Sequence, residues 1–259
     1  MSRLAFSLRR GASPVRALPI ALASLAAFAL GPARADDACT VRSARTTAPL
    51  VELYTSEGCN SCPPADRWLS GLKADPAVVA LAFHVDYWDR LGWKDRFASA
   101  TFSQRQAAQQ ATNGARFSYT PQVVVDGRDR TDWSAASPGA GSRPAAPVDV
   151  TLVHDGDRVI ATVVPGVNAP KRLAGYWAVT EQGHVSAVKA GENHGATLHH
   201  DFVVRDYEPV HEWTGRSGAA EILRFKPATS SDPAHPRQVN LVVVDAASGR
   251  PVQALKIGC

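Results

Sequence analysis

The sequence lacks any apolar run long enough to be a comfortable membrane span, and beyond residue 35 it also lacks an excess of positive charge. The most apolar segment, residues 18–30, is too short to cross a bilayer comfortably. The full chain has 28 Lys and Arg against 24 Asp and Glu, but residues 1–35 contain five arginines and no acid, which leaves 23 against 24. The remaining chain therefore gives no reason to expect nucleic acid or an anionic membrane as a partner.

The first 35 residues have the composition of a secretory signal peptide. Four arginines precede the apolar run, and Ala33-Arg34-Ala35 supplies small residues at the two positions that a signal peptidase inspects. We expect cleavage after Ala35 and a periplasmic or secreted protein that is soluble once cleaved. A retained N-terminal anchor is the alternative. The Arg9-Arg10 pair is a weak sign of twin-arginine export, because no apolar residues follow it closely.

Four cysteines, an even number, are present in a chain that we expect in an oxidising compartment. Cys39 and Cys259 lie near the two ends of the mature chain. Because domain termini often lie close together, a Cys39–Cys259 disulfide is the simple prediction. The alternative is that one or both are free thiols at a frayed end. Cys59 and Cys62 form a separate Cys-x-x-Cys pair.

The composition predicts two domains on either side of a linker. Residues 134–147 hold small residues, three prolines and one charged residue, which is typical of a linker. Before it, strand and helix patterns alternate, which predicts a mixed α/β sheet over residues 36–133. Strands are predicted at 51–54, 78–85 and 122–125, and helices from Pro63-Pro64 and over 101–113.

Residues 148–259 follow a period of two instead, without a helical stripe. This pattern predicts a small antiparallel β-sandwich-like domain. The predicted strands are 148–152, 158–164, 173–180, 202–207, 222–225, 239–245 and 252–257.

The Cys59-Asn60-Ser61-Cys62 motif lies between a predicted strand and a predicted helix. The first thiol is then at a helix N-terminus, where unpaired backbone N–H groups and the helix dipole favour a thiolate. Cys59 would be the nucleophile of disulfide exchange, and Cys62 would resolve the mixed disulfide. No cofactor is predicted.

The segment from Val51 to Asp66, VELYTSEGCNSCPPAD, resembles a family of secreted bacterial proteins with a thioredoxin-like domain, known mainly as a domain of unknown function. The similarity continues at 84–89, 92–95, 105–106, 120–127, 191–195 and 197–205. It implies an α/β thioredoxin-like domain followed by the β-rich domain, and export, but the family's substrate and reaction are not settled. The 134–147 segment is poorly suited to the closing helix of such a domain. We therefore expect the domain to end early, with the β-rich domain covering the exposed sheet face.

The resemblance gives expected roles to residues near the cysteines. Pro121, preceded by Thr120, would be a cis-proline beside the cysteines that leaves the preceding backbone free to pair with a bound polypeptide. An ordinary trans proline on an edge strand is the alternative. Glu52, on the strand before the cysteines, would be a buried acid that takes the proton from Cys62, or else a solvated edge-strand glutamate.

Aromatic residues follow a predicted central strand at the end of the sheet where Cys59 lies. Tyr87, Trp88 and Trp93 are predicted to line a groove for an unfolded peptide or a thiol substrate. Packing between domains is the alternative explanation for them.

Histidines raise the question of a metal. Thiolates and imidazoles suit copper and zinc, so a site is chemically possible with Cys59, Cys62, His84, His194, His199 and His200. Adjacent histidines on a strand point to opposite faces, and the spacing matches no tetrahedral pattern, so no metal ligand is predicted. The 191–195 loop is expected to contact the cysteine-bearing domain instead.

Three functions are compatible with the sequence. The leading hypothesis is an exported thiol–disulfide oxidoreductase that acts through Cys59 and Cys62 on an unknown protein or small thiol or disulfide. The second is a secreted binding or structural protein in which the Cys59–Cys62 disulfide is only a staple. The third is a copper carrier. Asn60-Ser61 does not indicate whether the pair oxidises, reduces or isomerises.

Overall fold

The structure of the protein is a computed structural model, which describes Gly11, residues 39–114 and residues 116–258. The chain divides into two units, residues 1–36 and residues 37–259, and every element below belongs to the second. Apart from Gly11, the predicted signal peptide lies outside the described residues, so export stays a prediction. Cys259 also lies outside them, so the Cys39–Cys259 disulfide stays a prediction. No helix in the described part of the chain is long and apolar enough to cross a membrane.

The chain up to residue 135 contains short strands and two α-helices. These are β1 (Thr40–Arg42), β2 (Leu50–Thr55), α1 (Pro63–Gly71), β3 (Val79–His84), α2 (Ala100–Asn113), β4 (Gln122–Val125) and β5 (Arg128–Asp129), with short 3-10 helices at Leu72–Ala74, Asp89–Leu91 and Trp133–Ala135. The sequence predicted both α-helices. Ser99 caps α2 by accepting a hydrogen bond from the Thr101 N–H, and Gly114 ends it with a φ of 67°.

The chain from residue 148 is built of strands alone among its described residues. They are β6 (Val148–Asp155), β7 (Arg158–Pro165), β8 (Arg172–Glu181), β9 (His184–Ala187), β10 (Thr197–His200), β11 (Val203–Thr214), β12 (Glu221–Phe225), β13 (Arg237–Asp245) and β14 (Pro251–Ile257). The seven predicted strands are all present. The short β9–β10 pair was not predicted, because each of its segments contains one large apolar residue, Val185 or Leu198, and so shows no clear alternation.

One sheet of eight strands crosses the predicted domain boundary. Its order is β14-β13-β8-β11-β3-β2-β4-β5, and β11 runs parallel to β3 with Val203 opposite Ala82. The strands after residue 148 thus extend the edge of the first sheet, where the Ala82 N–H of β3 donates to the Phe202 carbonyl at 2.8 Å. Residues 36–133 and 148–259 therefore do not form two separate sheets, and the later strands do not simply cover a sheet face as expected.

A second sheet, β1-β6-β7-β12, packs on part of the first. The core between them includes Leu152 and Ala161 from this sheet and Trp177 and Leu241 from the eight-stranded sheet. Trp177 stacks on Phe225 with ring centroids 5.2 Å apart. The protein is thus β-rich with few helices, and the predicted sandwich shares one of its layers with the rest of the chain.

The predicted linker, residues 134–147, is packed against the preceding chain. The Arg143 guanidinium donates to both carboxylate oxygens of Asp126, at 2.7 and 2.9 Å, and to the carbonyls of Thr47 and Ala48. The segment of small residues and prolines is therefore attached to the preceding chain through Arg143 and is not a flexible linker.

The two α-helices lie on opposite faces of β2, β3 and β4. One face packs against α1 through buried Val51, Leu53, Ala65, Leu69 and Val123. The other packs against α2 through Leu50, Tyr54, Phe83, Phe102 and Tyr176. Because successive residues of a strand point to opposite faces, Glu52 shares its face with α2 and not with α1.

Candidate functional site

Cys59 and Cys62 form a disulfide at the start of α1. Their Cα atoms are 5.4 Å apart, and both side chains are fully buried, whereas Asn60 and Ser61 between them are exposed. The Cys62 N–H donates to the Cys59 carbonyl at 3.2 Å. The two residues that open the helix, Pro63 and Pro64, have no N–H. The first turn of α1 therefore offers a Cys59 thiolate fewer backbone N–H groups than a helix N-terminus without prolines.

Thr120 and Pro121 lie beside this turn, and the bond between them is cis, as predicted. The Ser61 hydroxyl is 3.5 Å from the Thr120 carbonyl oxygen and 3.3 Å from Cys59 Sγ. Trp88 Nε1 donates to Thr120 Oγ1 at 2.8 Å. The fold thus brings together residues that lie some 60 positions apart in the chain.

The three aromatic residues of the predicted groove point in different directions. We call residues 57–62 the cysteine turn. Trp93 Nε1 donates to Glu57 Oε2 at 2.7 Å, so Trp93 also contacts this turn. The Tyr87 hydroxyl instead donates to Gln106 on α2 at 3.2 Å. Trp88 and Trp93 therefore border the turn, and their role toward a substrate stays a prediction.

A cluster of buried acids and imidazoles lies next to the turn. His84 Nδ1 is 2.6 Å from Asp95 Oδ2, and Asp95 also accepts from the Glu57 N–H at 2.9 Å. His200 Nε2 is 3.4 Å from Glu57 Oε1, and the rings of His84 and His200 are 5.0 Å apart. The His84 Nε2 and both ring nitrogens of His200 are buried without a hydrogen-bond partner.

The charges in this cluster perturb one another. Burial alone would lower the pKa of His84, but the adjacent Asp95 carboxylate raises it. Burial alone would raise the pKa of Asp95, yet its interaction with His84 and its backbone hydrogen bonds hold it below the usual range. Burial alone would raise the pKa of Glu57, but the His200 imidazole 3.4 Å away and the hydrogen bond from Trp93 lower it. The opposite pKa shifts of His84 and Asp95 therefore favour an ionised Asp95 carboxylate paired with a protonated His84 imidazole.

Asp66 is the acid nearest to Cys62 along helix α1. It lies four residues after Cys62, hence on the same face of the helix, and its N–H donates to the Cys62 carbonyl at 3.1 Å. The carboxyl is buried and accepts a hydrogen bond from Thr55 Oγ1 at 3.2 Å. Burial raises its pKa, against the opposing effect of His200 and His84. The sequence reasoning missed Asp66, although its spacing from Cys62 could have indicated it.

Glu52 is buried, but it does not face α1. Its carboxylate pairs with the Arg105 guanidinium and accepts a hydrogen bond from the Tyr176 hydroxyl at 2.8 Å. Arg105 lies over the Tyr176 ring, 3.8 Å from its centroid. The structure thus places Glu52 away from the role predicted for it, that of proton acceptor for Cys62, and makes it part of an ion pair between α2 and the sheet.

His194, His199 and His200 are not gathered around one point. On β10, His199 is exposed and His200 is buried, so the two point to opposite faces as predicted, and His194 is exposed. Within the described residues, no group of three or more His, Cys, Asp or Glu side chains is placed to hold a metal ion.

The loop between β9 and β10 contacts the cysteine turn, as expected from the sequence. Asn193 Nδ2 donates to the carbonyls of Glu57 and Cys59, at 2.8 and 2.9 Å. Glu192 Oε2 accepts from the Asn60 N–H at 3.2 Å. A segment from the far side of the predicted linker therefore completes the surroundings of Cys59.

Comparisons with known proteins agree with this architecture. Residues 50–244 match the family described as "Protein of unknown function (DUF1223)". No curated protein matches the chain. A crystal structure of a protein from Agrobacterium tumefaciens is similar, with a TM-score of 0.61 and 26% identity over 83% of this chain and 96% of that one. HBP35 of Porphyromonas gingivalis has a TM-score of 0.59 and 15% identity over 83% of this chain and 76% of that one, which is a likeness of fold alone.

Proposed function

The chain belongs to DUF1223, a family of proteins of unknown function, and on that premise we propose that it is an exported thiol–disulfide oxidoreductase built on a thioredoxin-like core. The observation that carries the proposal is the Cys59–Cys62 disulfide at the N-terminus of α1, beside Thr120 and Pro121. The substrate is a protein or a small molecule that carries a thiol or a disulfide.

The order of elements supports the thioredoxin-like core. Strand β2 leads into the cysteine turn and α1, β3 follows parallel to β2, and β4 pairs antiparallel with β2 immediately after Pro121. Helices α1 and α2 cover the two faces of these strands. The strands after residue 148 are then an addition to the edge of this core.

The chemistry needs no cofactor. A substrate thiolate attacks Cys59 Sγ, the Cys59–Cys62 bond breaks, and Cys62 leaves as a thiolate that takes up a proton. A second substrate thiolate then attacks the substrate sulfur of the mixed disulfide, and Cys59 leaves. The substrate dithiol becomes a disulfide while the protein disulfide becomes a dithiol. The reverse sequence reduces a substrate disulfide by the same steps.

Asp66 is our candidate for the proton transfer to and from Cys62. It occupies the next turn of the same helix face, it is buried, and burial raises its pKa, so it holds a proton to higher pH than an exposed aspartate does. A protonated Asp66 can donate to the departing Cys62 thiolate. An ionised Asp66 can accept the proton when Cys62 attacks a mixed disulfide.

Trapping of mixed disulfides tests the proposal. In the Cys62→Ser variant, produced with its leader in an exporting host, Cys59 cannot be released by Cys62, so we expect disulfide-linked partners in the periplasm or medium. Cys59→Ser is the matched control, since it leaves the other cysteine of the pair, and we expect few partners. N-terminal sequencing of the exported protein should start at Asp36. A folded Cys62→Ser protein that links to nothing would argue against the proposal.

A structural disulfide is the second candidate function of this pair, and the complete burial of both sulfur atoms favours it. The reduction potential separates the two candidates. A structural disulfide typically has a potential below about −300 mV, whereas a pair that exchanges electrons with other proteins lies nearer the potential of its compartment. Equilibration of the protein with glutathione or dithiothreitol buffers measures this value.

A further inference from the structure

Residues 191–195, within the loop between β9 and β10, make three hydrogen bonds to the cysteine turn. We propose that Asn193 and Glu192 of this loop are positioning residues that set the redox equilibrium and the nucleophilicity of Cys59. The inference rests on the proposed redox function of the Cys59–Cys62 pair and assigns the later part of the chain a part in it.

Asn193 acts as a clamp on the backbone. Its single amide nitrogen donates at 2.8 Å to the Glu57 carbonyl and at 2.9 Å to the Cys59 carbonyl, which stand on either side of Gly58. An amide has two N–H groups, so both bonds can form at once. Asn193 lies 134 residues from Cys59 in the sequence, so no local preference of the turn produces this contact.

The loop is held close to the turn by packing as well. Gly191 has a φ of 72°, and a side chain at this position would lie 3.3 Å from the Cβ of Trp93. Trp93 in turn donates to Glu57 Oε2 at 2.7 Å. The loop therefore meets the turn directly and through Trp93, which is a setting that holds Asn193 in place.

The clamp is formed while the two cysteines are bonded, with their Cα atoms 5.4 Å apart. Reduction removes the bond between the two sulfur atoms, so we expect the turn to keep the geometry that Asn193 holds less strictly in the dithiol. Bonds that are better formed in one state stabilise that state. The clamp therefore favours the disulfide over the dithiol.

Glu192 acts on charge. Its carboxylate accepts a hydrogen bond at 3.2 Å from the N–H of Asn60, the residue after Cys59. Since Pro63 and Pro64 have no N–H, donors at this end of α1 are few. A Cys59 thiolate must then form beside a negative charge and without this N–H. Glu192 therefore disfavours the thiolate.

The other ionisable groups next to the turn differ from Glu192 in burial. They are Glu57, Asp66, His84, Asp95 and His200, all of them buried. Glu192 is exposed, so its charge can be removed without leaving a buried partner unpaired. Its exposure also means that salt weakens the effect.

Two isosteric variants test the two contributions. Glu192→Gln should raise the rate at which iodoacetamide alkylates Cys59 in the reduced protein at pH 7 by about threefold at low salt, with a smaller gain at high salt and a lower apparent pKa for the thiol. Asn193→Leu, which cannot donate and adds no charge, should make the disulfide about tenfold easier to reduce in a glutathione buffer, where two glutathione thiols become one glutathione disulfide as the pair becomes a dithiol. Mass spectrometry of the Cys59 peptide gives both readouts.

His194→Ala is the matched control, because His194 is exposed in the same loop. We expect it to change neither value, and we expect all three variants to keep their unfolding temperature within a few degrees. Unchanged alkylation and unchanged equilibrium in folded Glu192→Gln and Asn193→Leu proteins would overturn the inference, as would equal changes in His194→Ala. If Cys62→Ser traps partners and these variants behave as the wild type, the proposed function stands and this inference fails. If the variants shift both values but nothing is trapped, the influence of the loop stands and the proposed function fails.

Discussion

Replacement of Glu52 by Gln separates a structural role of this acid from a role in thiol chemistry. The carboxylate of Glu52 is 3% exposed and pairs with Arg105, which is 13% exposed. Burial alone would lower the pKa of Arg105, but the neighbouring Glu52 raises it well above its usual value. Arg105 therefore stays charged when Glu52 becomes neutral, and a largely buried cation loses its counterion.

The expected cost follows from this geometry. Removal of one partner from a buried ion pair costs about 3–5 kcal/mol. We expect about 3 kcal/mol for Glu52→Gln, because the amide oxygen still accepts from the Tyr176 hydroxyl and Arg105 keeps some contact with water. For a unit of this size, such a loss lowers the unfolding temperature by about 6–12 °C.

Two measurements on the same protein give the test. Urea or thermal unfolding under oxidising conditions reports stability, and the resolution of a glutathione mixed disulfide at Cys59 reports the chemistry of Cys62. Glu212→Gln, at the exposed Arg172–Glu212 pair, is the control and should change stability by no more than about 0.5 kcal/mol. A Glu52→Gln protein with wild-type stability and slowed resolution would refute the placement of Glu52 away from Cys62.

Two further predictions concern the acids that do lie near the turn. Asp66→Asn should slow the resolution of the same mixed disulfide by about a hundredfold near neutral pH without loss of stability, because burial raises the pKa of Asp66 and disfavours its charge; an unchanged rate would remove Asp66 from the mechanism. Asp95→Ala should cost about 3–5 kcal/mol in urea unfolding at pH 5.5. The pKa of His84 is raised in the folded protein, so the stabilisation by the His84–Asp95 ion pair is fully present below the pKa of about 6.5 that histidine has in the unfolded chain. It is lost as the pH rises through the pKa of His84 in the folded protein. A cost of Asp95→Ala that grows above pH 7 would contradict the His84–Asp95 pairing. The pKa of Asp95 is lowered in the folded protein, so the stabilisation by the ion pair is also lost in acid, as the pH falls through the pKa of Asp95 in the folded protein.

Local patterns in the sequence determined the elements around the cysteines. Two prolines set the start of α1, Asn113-Gly114 set the end of α2, and the period of two after residue 148 set the strands. These features depend on backbone preferences over a few residues, so they can be recognised without knowledge of the fold. The positions of Cys59 and Cys62 at a helix start belong to the same class.

Only the tertiary structure decided which residues meet. A period of two shows that Val51 and Glu52 point to opposite sides of β2, but it cannot show which side α1 covers. The pairing of β11 with β3 joins Val203 to Ala82 across the linker, and no local signal in either strand indicates its partner.

The surroundings of the cysteine pair show the same division. The sequence by itself determined a Cys-x-x-Cys turn before a helix, with Pro121 as a candidate neighbour. The tertiary structure decided that Glu52 faces α2 rather than α1, and that Asn193 holds the Cys59 carbonyl across 134 residues of chain. Hydrogen bonds between distant segments depend on how the sheets assemble, and that assembly minimises the free energy of the whole chain rather than of any one segment.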